Sequence, residues 1–175
     1  MRRRPRPWTG LVSALLSMGS VAATAPGGDA GRDLWGGRRV FAARLTADYQ
    51  PMVTNSTGVG AVRIVLDLAS RRAEWQITYS GLTSAPIAIG LHGPAQPGTN
   101  GAQLINLGGK SLSSPIRGST IIPAGQIQYM LLGWTYVLVS TSRYPEGELR
   151  GKVDVVSPEH AADLGAPPVA DGKRR

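Results

Sequence analysis

Two alternating stretches separated by a short polar turn constrain the fold more than any other feature of this sequence. From Val59 to Leu68, apolar side chains occupy every second position, and the stretch Ala73–Ser80 alternates in the same way. A period of two is the pattern of a β-strand that buries one face and exposes the other. Residues 70–72, Ser-Arg-Arg, lie between the two stretches. The sequence therefore predicts a β-hairpin over residues 59–80.

Short strand patterns recur along the middle of the chain. Apolar runs alternate with turn residues, and many of the chain's 23 glycines and 13 prolines supply the breaks. A second hairpin is predicted over Tyr136–Lys152, where an apolar run is followed by alternating charged and small residues. The other predicted strands cover Val40–Thr46, Ile87–His92, Gln103–Leu107 and Ile116–Ile122.

One short helix is predicted between the strand Ile116–Ile122 and the second hairpin. Pro123 suits the first turn of a helix because proline lacks only an N–H that this turn leaves unbonded. Ile127, Met130 and Leu131 have the i, i+3, i+4 spacing of one apolar helix face. Gly133 is expected to end the helix.

The predicted elements define an all-β fold class. Roughly seven to nine short strands fall within about 115 residues, and no helices alternate with them. A parallel βαβ sheet is therefore excluded. The spacing is typical of an antiparallel β-sandwich of immunoglobulin-like size, here with one short helix.

The two ends of the chain differ in composition from the middle. Residues 1–25 combine a basic start, an apolar stretch and small residues, which is the pattern of an export signal peptide. Cleavage is expected after Ala22 or Ala23; the alternative is an uncleaved anchor, although the apolar part is short for a spanning helix. We expect a flexible Gly-rich linker over 26–39, the folded domain over 40–156 and a disordered tail over 157–175. The expected location is the periplasm or the extracellular space, with no membrane span after signal cleavage.

The net charge of +8 overstates the basic character of the predicted domain. Four arginines lie in the export signal, and residues 40–156 hold nine Lys and Arg against six Asp and Glu. No basic stripe with interleaved aromatics is present, so nucleic acid is not an expected partner. The chain also has no cysteine, which excludes disulfides, thiolate metal sites and a cysteine nucleophile.

A set of short sequence motifs occurs in order across the predicted domain. They are Thr57-Gly58, the run Trp75–Leu82, His92-Gly93-Pro94-Ala95, Asn100-Gly101, Tyr136-Val137 and the run Pro145–Gly151. Their order and spacing over roughly residues 40–156 resemble the CHRD domain, first described in chordin and also found alone in exported bacterial proteins. The resemblance implies an immunoglobulin-like β-sandwich similar to that of Cu,Zn superoxide dismutase, and it implies no particular activity.

The sequence departs from the family pattern at three positions that bear on chemistry. Where the family usually has histidine, asparagine and histidine, this chain has Gly90, Leu138 and Ser140. Residues two apart on a strand share a face, so the family's three imidazoles can gather if the two strand faces meet. Three nitrogen ligands would suit zinc or copper. Here only His92 remains of that set, and the other histidine, His160, lies in the tail.

His92 is therefore the one candidate metal ligand, and we predict no cofactor and no catalytic residue. Superoxide dismutation is excluded because a redox copper site needs more ligands than His92 supplies. Since His92 precedes Gly93 and Pro94, its simpler interpretation is a donor to a neighbouring carbonyl that fixes the turn. The alternatives are a residual metal ligand or an acid–base group.

A second group of titratable residues lies on the last predicted strand. Glu146, Glu148 and Arg150 share one face by strand period. The favoured interpretation is a ladder of cross-strand ion pairs that also discourages edge-to-edge association. Paired carboxylates can also serve acid–base catalysis or calcium binding, but Arg150 and Lys152 on the same face would neutralise them.

Taken together, these patterns predict a protein that is not an enzyme. We expect an exported, non-catalytic binding or structural module of the cell envelope, with an unidentified envelope or extracellular partner. The alternative is a periplasmic metal-binding or redox protein that uses His92. A third possibility, an enzyme acting on glycans or peptides, has no residues in the sequence to nominate for it.

Overall fold

The computed structural model describes residues 37–163, apart from 53, 97, 158, 159 and 162. The predicted export signal at 1–25, the linker up to residue 36 and the tail from 164 onward lie outside the described residues. Those predictions therefore stay predictions.

The described residues form nine β-strands and a short α-helix, with a few further helical residues after the last strand, which confirms the predicted all-β class. The strands are β1 Arg38–Thr46, β2 Val59–Asp67, β3 Arg72–Ser80, β4 Pro86–His92, β5 Gln103–Asn106, β6 Ile116–Ile121, β7 Tyr136–Thr141, β8 Leu149–Lys152 and β9 Asp154–Val156; the helix, α1, is Ala124–Leu131.

All strand pairings are antiparallel, and they form one curled sheet in the order β5-β4-β7-β8-β1-β2-β3-β6. Strand β1 pairs with β2 along its whole length, from Arg38 opposite Asp67 to Thr46 opposite Val59. On its other edge β1 pairs with β9 near its start, and its last residue lies opposite Arg150 of β8. The sheet therefore has two halves, β5-β4-β7-β8 and β1-β2-β3-β6, that meet at β1 and enclose the core as a sandwich.

Both predicted hairpins are present. In the β2–β3 hairpin, Val62 lies opposite Ile77 and Ile64 opposite Trp75, and all four side chains are buried. The β7–β8 hairpin also pairs as predicted, with Val139 opposite Leu149. Its second strand begins at Leu149 rather than at residue 146, because the preceding residues form a turn that is closed by a Gly147 N–H···O=C Tyr144 hydrogen bond of 3.0 Å.

The core is built from aliphatic side chains of both halves. The largest fully buried apolar side chains are Phe41, Leu45, Ile64, Leu66, Ile77, Ile89, Leu91, Leu107, Ile122, Met130 and Leu149. Burying each such side chain stabilises the fold by about 1.5–3 kcal/mol before the entropy cost of ordering it. This burial explains how a domain without disulfides holds together.

The helix α1 contributes less to the core than its sequence pattern predicts. Ile127 and Met130 are buried as expected, but Leu131 is exposed. Gly133 has φ +69° and donates its N–H to the carbonyl of Met130, so the helix ends at the predicted glycine. None of the helices in the described part of the chain is long and apolar enough to cross a membrane.

Three residues at the start of the predicted tail are described by the structure as helical. Residues 160, 161 and 163 are helical, Ala161 is fully buried, and its N–H donates to the carbonyl of Ser157. A buried alanine and a helical hydrogen bond offset the entropy of ordering these three residues, and the prediction of a mostly disordered tail stays a prediction.

Two glycines lie where neighbouring strands leave no room for a side chain. A side chain at Gly151 of β8 would clash with the carbonyl oxygen of Arg44 on β1. A side chain at Gly118 of β6 would clash with the indole ring of Trp75 on β3. The same indole donates its Nε1–H to the carbonyl of Leu107, just after β5, at 3.0 Å. Trp75 therefore links the two edge strands of the curled sheet.

Replacing Trp75 by phenylalanine should destabilise the domain. The Trp75→Phe change leaves the carbonyl of the buried Leu107 without its donor, which costs about 1–3 kcal/mol. Chemical denaturation at neutral pH measures the difference. The control is Trp134→Phe at a tryptophan that is 49% exposed, which should change the free energy of unfolding by less than about 0.5 kcal/mol. Equal effects of the two substitutions would contradict this role for Trp75.

Candidate functional site

The outer face of β4, β7 and β8 brings together the positions at which the sequence departs from the family pattern. His92 lies opposite Tyr136, Gly90 opposite Leu138, and Ala88 opposite Ser140. The two strand faces that carry positions 90, 92, 138 and 140 therefore meet.

This outer face is covered rather than open to solvent. All six residues of β7 are buried, although only Val137 and Val139 belong to the core cluster. Tyr136, Leu138 and Ser140 point the other way and are buried as well. The cover comes from the described residues of the segment 93–102, all except residue 97, and from the turn before β8. This segment connects β4 to β5, and we call it the 93–102 loop.

A cleft of about 280 Å³ remains between this loop and the sheet. We call it the His92 cleft. It is lined by Ala88, Gly90, His92, Asn100, Gly101, Gln103, Tyr136, Leu138, Ser140, Pro145 and Glu146.

His92 is half-buried and oriented by the 93–102 loop. Its Nδ1 lies 3.1 Å from the carbonyl oxygen of Gly101, and because a carbonyl only accepts, Nδ1 must carry the proton. A Cβ atom at Gly90 would lie 2.9 Å from Nε2, so that nitrogen sits directly above Gly90. The Nδ1 bond is the contact that the turn-fixing interpretation of His92 requires.

The pKa of His92 lies below its ordinary value. Burial is the main cause, because it disfavours the imidazolium, and the positive charge of Arg150 acts in the same direction. The hydrogen bond to Gly101 opposes both. The ring is therefore neutral near pH 7, with a lone pair on Nε2.

Tyr136 connects His92 to Arg150. The rings of His92 and Tyr136 are stacked, with centroids 5.4 Å apart and planes inclined by 22°. The guanidinium carbon of Arg150 lies 3.5 Å from the centroid of the Tyr136 ring. The Tyr136 hydroxyl accepts a hydrogen bond from the N–H of Gly101 at 2.8 Å. Tyr136 therefore lies between His92 and Arg150 and also binds the 93–102 loop.

Arg150 is the third anchor of the loop and is only 5% exposed. Its Nη1 donates to Oδ1 of Asn100 at 3.0 Å and its Nη2 to the carbonyl of Thr99 at 2.7 Å. Burial lowers the pKa of this guanidinium, while Tyr136 opposes that shift. Among the residues that the structure describes, no carboxylate oxygen lies within 4.0 Å of its nitrogens.

The predicted ion-pair ladder of Glu146, Glu148 and Arg150 is wrong. Arg150 lies on the outer face, but Glu148 is fully buried beside Thr141, whose neighbour Val139 belongs to the core. The strand period does not extend back to Glu148, because the turn at Gly147 precedes β8 and has φ +126°. The two charged residues therefore serve different sites.

Glu148 lies at the centre of a buried hydrogen-bond network. Its Oε1 accepts from Ser56 Oγ at 2.6 Å and from the Thr83 N–H at 2.7 Å. Its Oε2 accepts from Thr83 Oγ1 at 2.9 Å and from Thr141 Oγ1 at 2.7 Å. The carboxylate thereby joins β7 to the loops before β2 and before β4.

These hydrogen bonds set the ionisation of Glu148. Burial alone raises the pKa of a carboxyl group, but the bonds from Ser56, Thr141 and Thr83 outweigh it, and the pKa lies below 4.5. Glu148 is therefore an ionised structural residue near neutral pH rather than a proton donor.

The donor set of the His92 cleft does not match a zinc or copper site. One imidazole faces the cleft where the family pattern would place three, and the positions of the others hold Gly90 and Ser140. No group of three or more His, Cys, Asp or Glu side chains placed to hold a metal ion occurs within the described ranges. His160, the other histidine, follows β9 and is exposed.

The fold and the site together define an all-β sandwich domain whose outer-face side chains anchor a surface loop. Comparison with protein-family models places this domain: the CHRD domain model matches residues 41–153. The match covers more than half of the chain, so the protein belongs to the CHRD-domain family. Membership supports a binding or structural module in general. The searches of curated proteins and of solved structures found no match.

Sequence reasoning missed the role of Arg150. The strand period correctly placed Arg150 and Lys152 on one face, but it carries no information on which face is covered by a loop. The sequence did hint at a shared role, since Asn100, Tyr136 and Arg150 all belong to the short motifs in which this chain resembles the CHRD domain. The contact of Arg150 with Tyr136 follows from the register of β7 with β8, and its contact with Asn100 follows from the path of the 93–102 loop.

Glu148→Gln should lower the free energy of unfolding by about 2–3 kcal/mol, since the amide replaces a charged acceptor of several hydrogen bonds. Chemical denaturation measures this loss. The matched control is Glu146→Gln at an exposed glutamate, with an expected change below about 0.5 kcal/mol.

The same pair of variants tests the pH dependence. Because the folded-state pKa of Glu148 lies below 4.5, its contribution is complete above that value and is lost as the pH falls through the folded-state pKa. Between about pH 6 and about pH 3, the unfolding free energy of the wild type should therefore fall more steeply than that of Glu148→Gln. Parallel pH profiles would show that the carboxylate is not the group responsible.

Proposed function

We propose that this protein is an exported, non-catalytic CHRD-domain protein that acts as a binding or structural module of the cell envelope. The observation that carries the proposal is that polar side chains on the outer face of the sheet hold a surface loop in place. His92, Tyr136 and Arg150 all form hydrogen bonds with the 93–102 loop. A covered sheet face with a loop anchored over clefts is suited to recognition.

The surroundings of His92 support a non-catalytic role. A histidine that activates a nucleophile usually has a carboxylate on its other nitrogen, which stabilises the imidazolium as it forms. Here the partner of Nδ1 is the neutral carbonyl of Gly101, and Arg150 disfavours a positive charge on the ring. Glu148, the buried carboxylate of the domain, is bonded to Ser56, Thr83 and Thr141 instead.

Export is supported by the sequence of residues 1–25, with its basic start, apolar stretch and small residues. Cell fractionation of the native host should find the mature protein in the periplasm or the medium. Its amino terminus, read by sequencing, should begin just after Ala22 or Ala23. A cytoplasmic full-length chain would contradict this part of the proposal.

One observation favours a second candidate function, a periplasmic metal-binding or redox protein. The hydrogen bond from Nδ1 to Gly101 fixes the tautomer of His92 and leaves the Nε2 lone pair above Gly90. A backbone carbonyl on the far nitrogen is a common arrangement for a histidine that ligates a metal. His92 would be the ligand contributed by this site.

Metal content separates the two candidates. Elemental analysis of untagged protein from its native host should find far less than one zinc or copper per chain. In a zinc titration, the ring resonances of His92 should move no more than those of His160, which is the only other histidine and is exposed. A near-stoichiometric metal content, or a selective shift of His92, would establish the metal-binding alternative.

A further inference from the structure

Arg150 has donors that the 93–102 loop does not use. A guanidinium carries five N–H groups, and the two hydrogen bonds to Thr99 and Asn100 account for two of them. A buried cation is ordinarily compensated by an anion, because desolvation is costly and neutral partners only partly offset it. Within the described part of the chain no carboxylate supplies that anion.

The guanidinium borders a second cleft, of about 200 Å³, which we call the Arg150 cleft. It is lined by Tyr49, Ala95, Gln96, Gly98, Gly133, Thr135, Tyr136, Arg150 and Lys152. It is distinct from the His92 cleft, with which it shares Tyr136 alone.

Thr135 independently points to a ligand in this cleft. The residue is only 1% exposed, and its Oγ1 has no hydrogen-bond partner. A buried hydroxyl without a partner costs free energy that folding alone does not recover. Thr135 lines the Arg150 cleft, so a bound group with oxygen atoms would satisfy the hydroxyl once its side chain turns toward the cleft.

Lys152 adds a second positive charge to the same cleft. It lies two residues after Arg150 on β8, so both side chains project from the outer face. Its Nζ pairs with Asp154 at 2.5 Å, and both side chains are more than half exposed. Lys152 is thus partly neutralised, and Arg150 is the stronger anchor for an anion.

The Arg150 cleft continues into an apolar groove of about 520 Å³. The two share Ala95, Gln96, Gly133 and Lys152, and the groove adds Pro94, Leu132 and Trp134. Trp134 is 49% exposed and is held by stacking on Tyr129, with ring centroids 6.3 Å apart. An ordered, half-exposed indole offers a flat apolar platform beside the cationic cleft.

We propose that the Arg150 cleft binds the carboxylate of an acidic saccharide, a uronate unit, whose sugar ring lies against Trp134 in the adjoining groove. Arginine prefers carboxylates because its fork of N–H groups matches their two oxygens. This assignment deepens the proposed binding function and rests on it.

The remaining lining favours a sugar acid over the carboxyl terminus of a peptide. Thr135, Gln96 and Tyr49 supply neutral hydrogen-bonding groups, which suit a ligand rich in hydroxyls. Peptides are commonly captured along an unpaired strand edge, whereas this cleft lies on the outer face of β7 and β8, both of which are paired on two sides.

The probe is a uronate disaccharide, compared with its carboxyl-reduced neutral counterpart. Calorimetry and tryptophan fluorescence on the full-length protein measure binding. The uronate should bind at least about tenfold more tightly than the neutral sugar, and more weakly as salt is raised.

Two substitutions locate the site. Arg150→Lys keeps the charge but loses the fork, so the uronate should bind at least about tenfold more weakly. Its control is Arg117→Lys on the exposed surface of β6, with less than about a twofold effect. Thr135→Val keeps the side-chain shape and should weaken binding about three- to tenfold.

Thr135→Val also separates a ligand role from a structural one. Since the Thr135 hydroxyl has no partner, its removal should leave the melting temperature unchanged or raise it. Lower affinity without lower stability is the result expected of a ligand-binding group.

Three outcomes would overturn the proposal. They are equal affinity for the acidic and neutral sugars, unchanged uronate affinity in both Arg150→Lys and Thr135→Val, and binding of a peptide with a free carboxyl terminus in place of the uronate. The metal content and the cell fractionation test the proposed function separately, so the failure of one proposal is distinguishable from the failure of the other.

Discussion

The domain depends on β1, which pairs with β2 along its whole length and with β8 of the other half of the sheet at its last residue. Strand β8 pairs with β1 at Thr46. This close approach is possible because Gly151 has no side chain that would clash with the carbonyl of Arg44. With the backbone of β8 fixed there, alternation sends Leu149 into the core and Arg150 to the outer face. The core and the candidate site are thus both set by one close backbone approach.

Local pattern was sufficient to predict the elements but not how the sheet closes. The two hairpins could be predicted because their alternating strands and the turns between them are adjacent in sequence, as in the stretch from Val59 to Ser80. The short strand β9 and its pairing with β1 could not be predicted from local pattern, since residues 154–156 pair with residues more than a hundred positions earlier. Leu131 shows the same limit, because helix period alone does not say how much of an apolar face a neighbour covers.

The candidate site was predictable to the extent that it follows strand alternation. That rule paired positions 90 and 92, and 138 and 140, and the register of β4 with β7 brings them together. The rule failed at Glu148, because a turn with positive φ at Gly147 interrupts the strand and lets the carboxylate point inward. The clefts themselves depend on the path of the 93–102 loop, which no periodicity describes.

The anchoring of the 93–102 loop by side chains has a consequence for its motion. The Gly101 amide is bonded to the Tyr136 hydroxyl rather than to a neighbouring strand. Its exchange with solvent deuterium therefore requires only that the loop lift away from the His92–Tyr136–Arg150 stack, whereas amides in the β1–β2 ladder require the sheet to open. Loop and sheet form separate units of local stability, and the loop can respond to an occupant of either cleft while the sandwich stays folded.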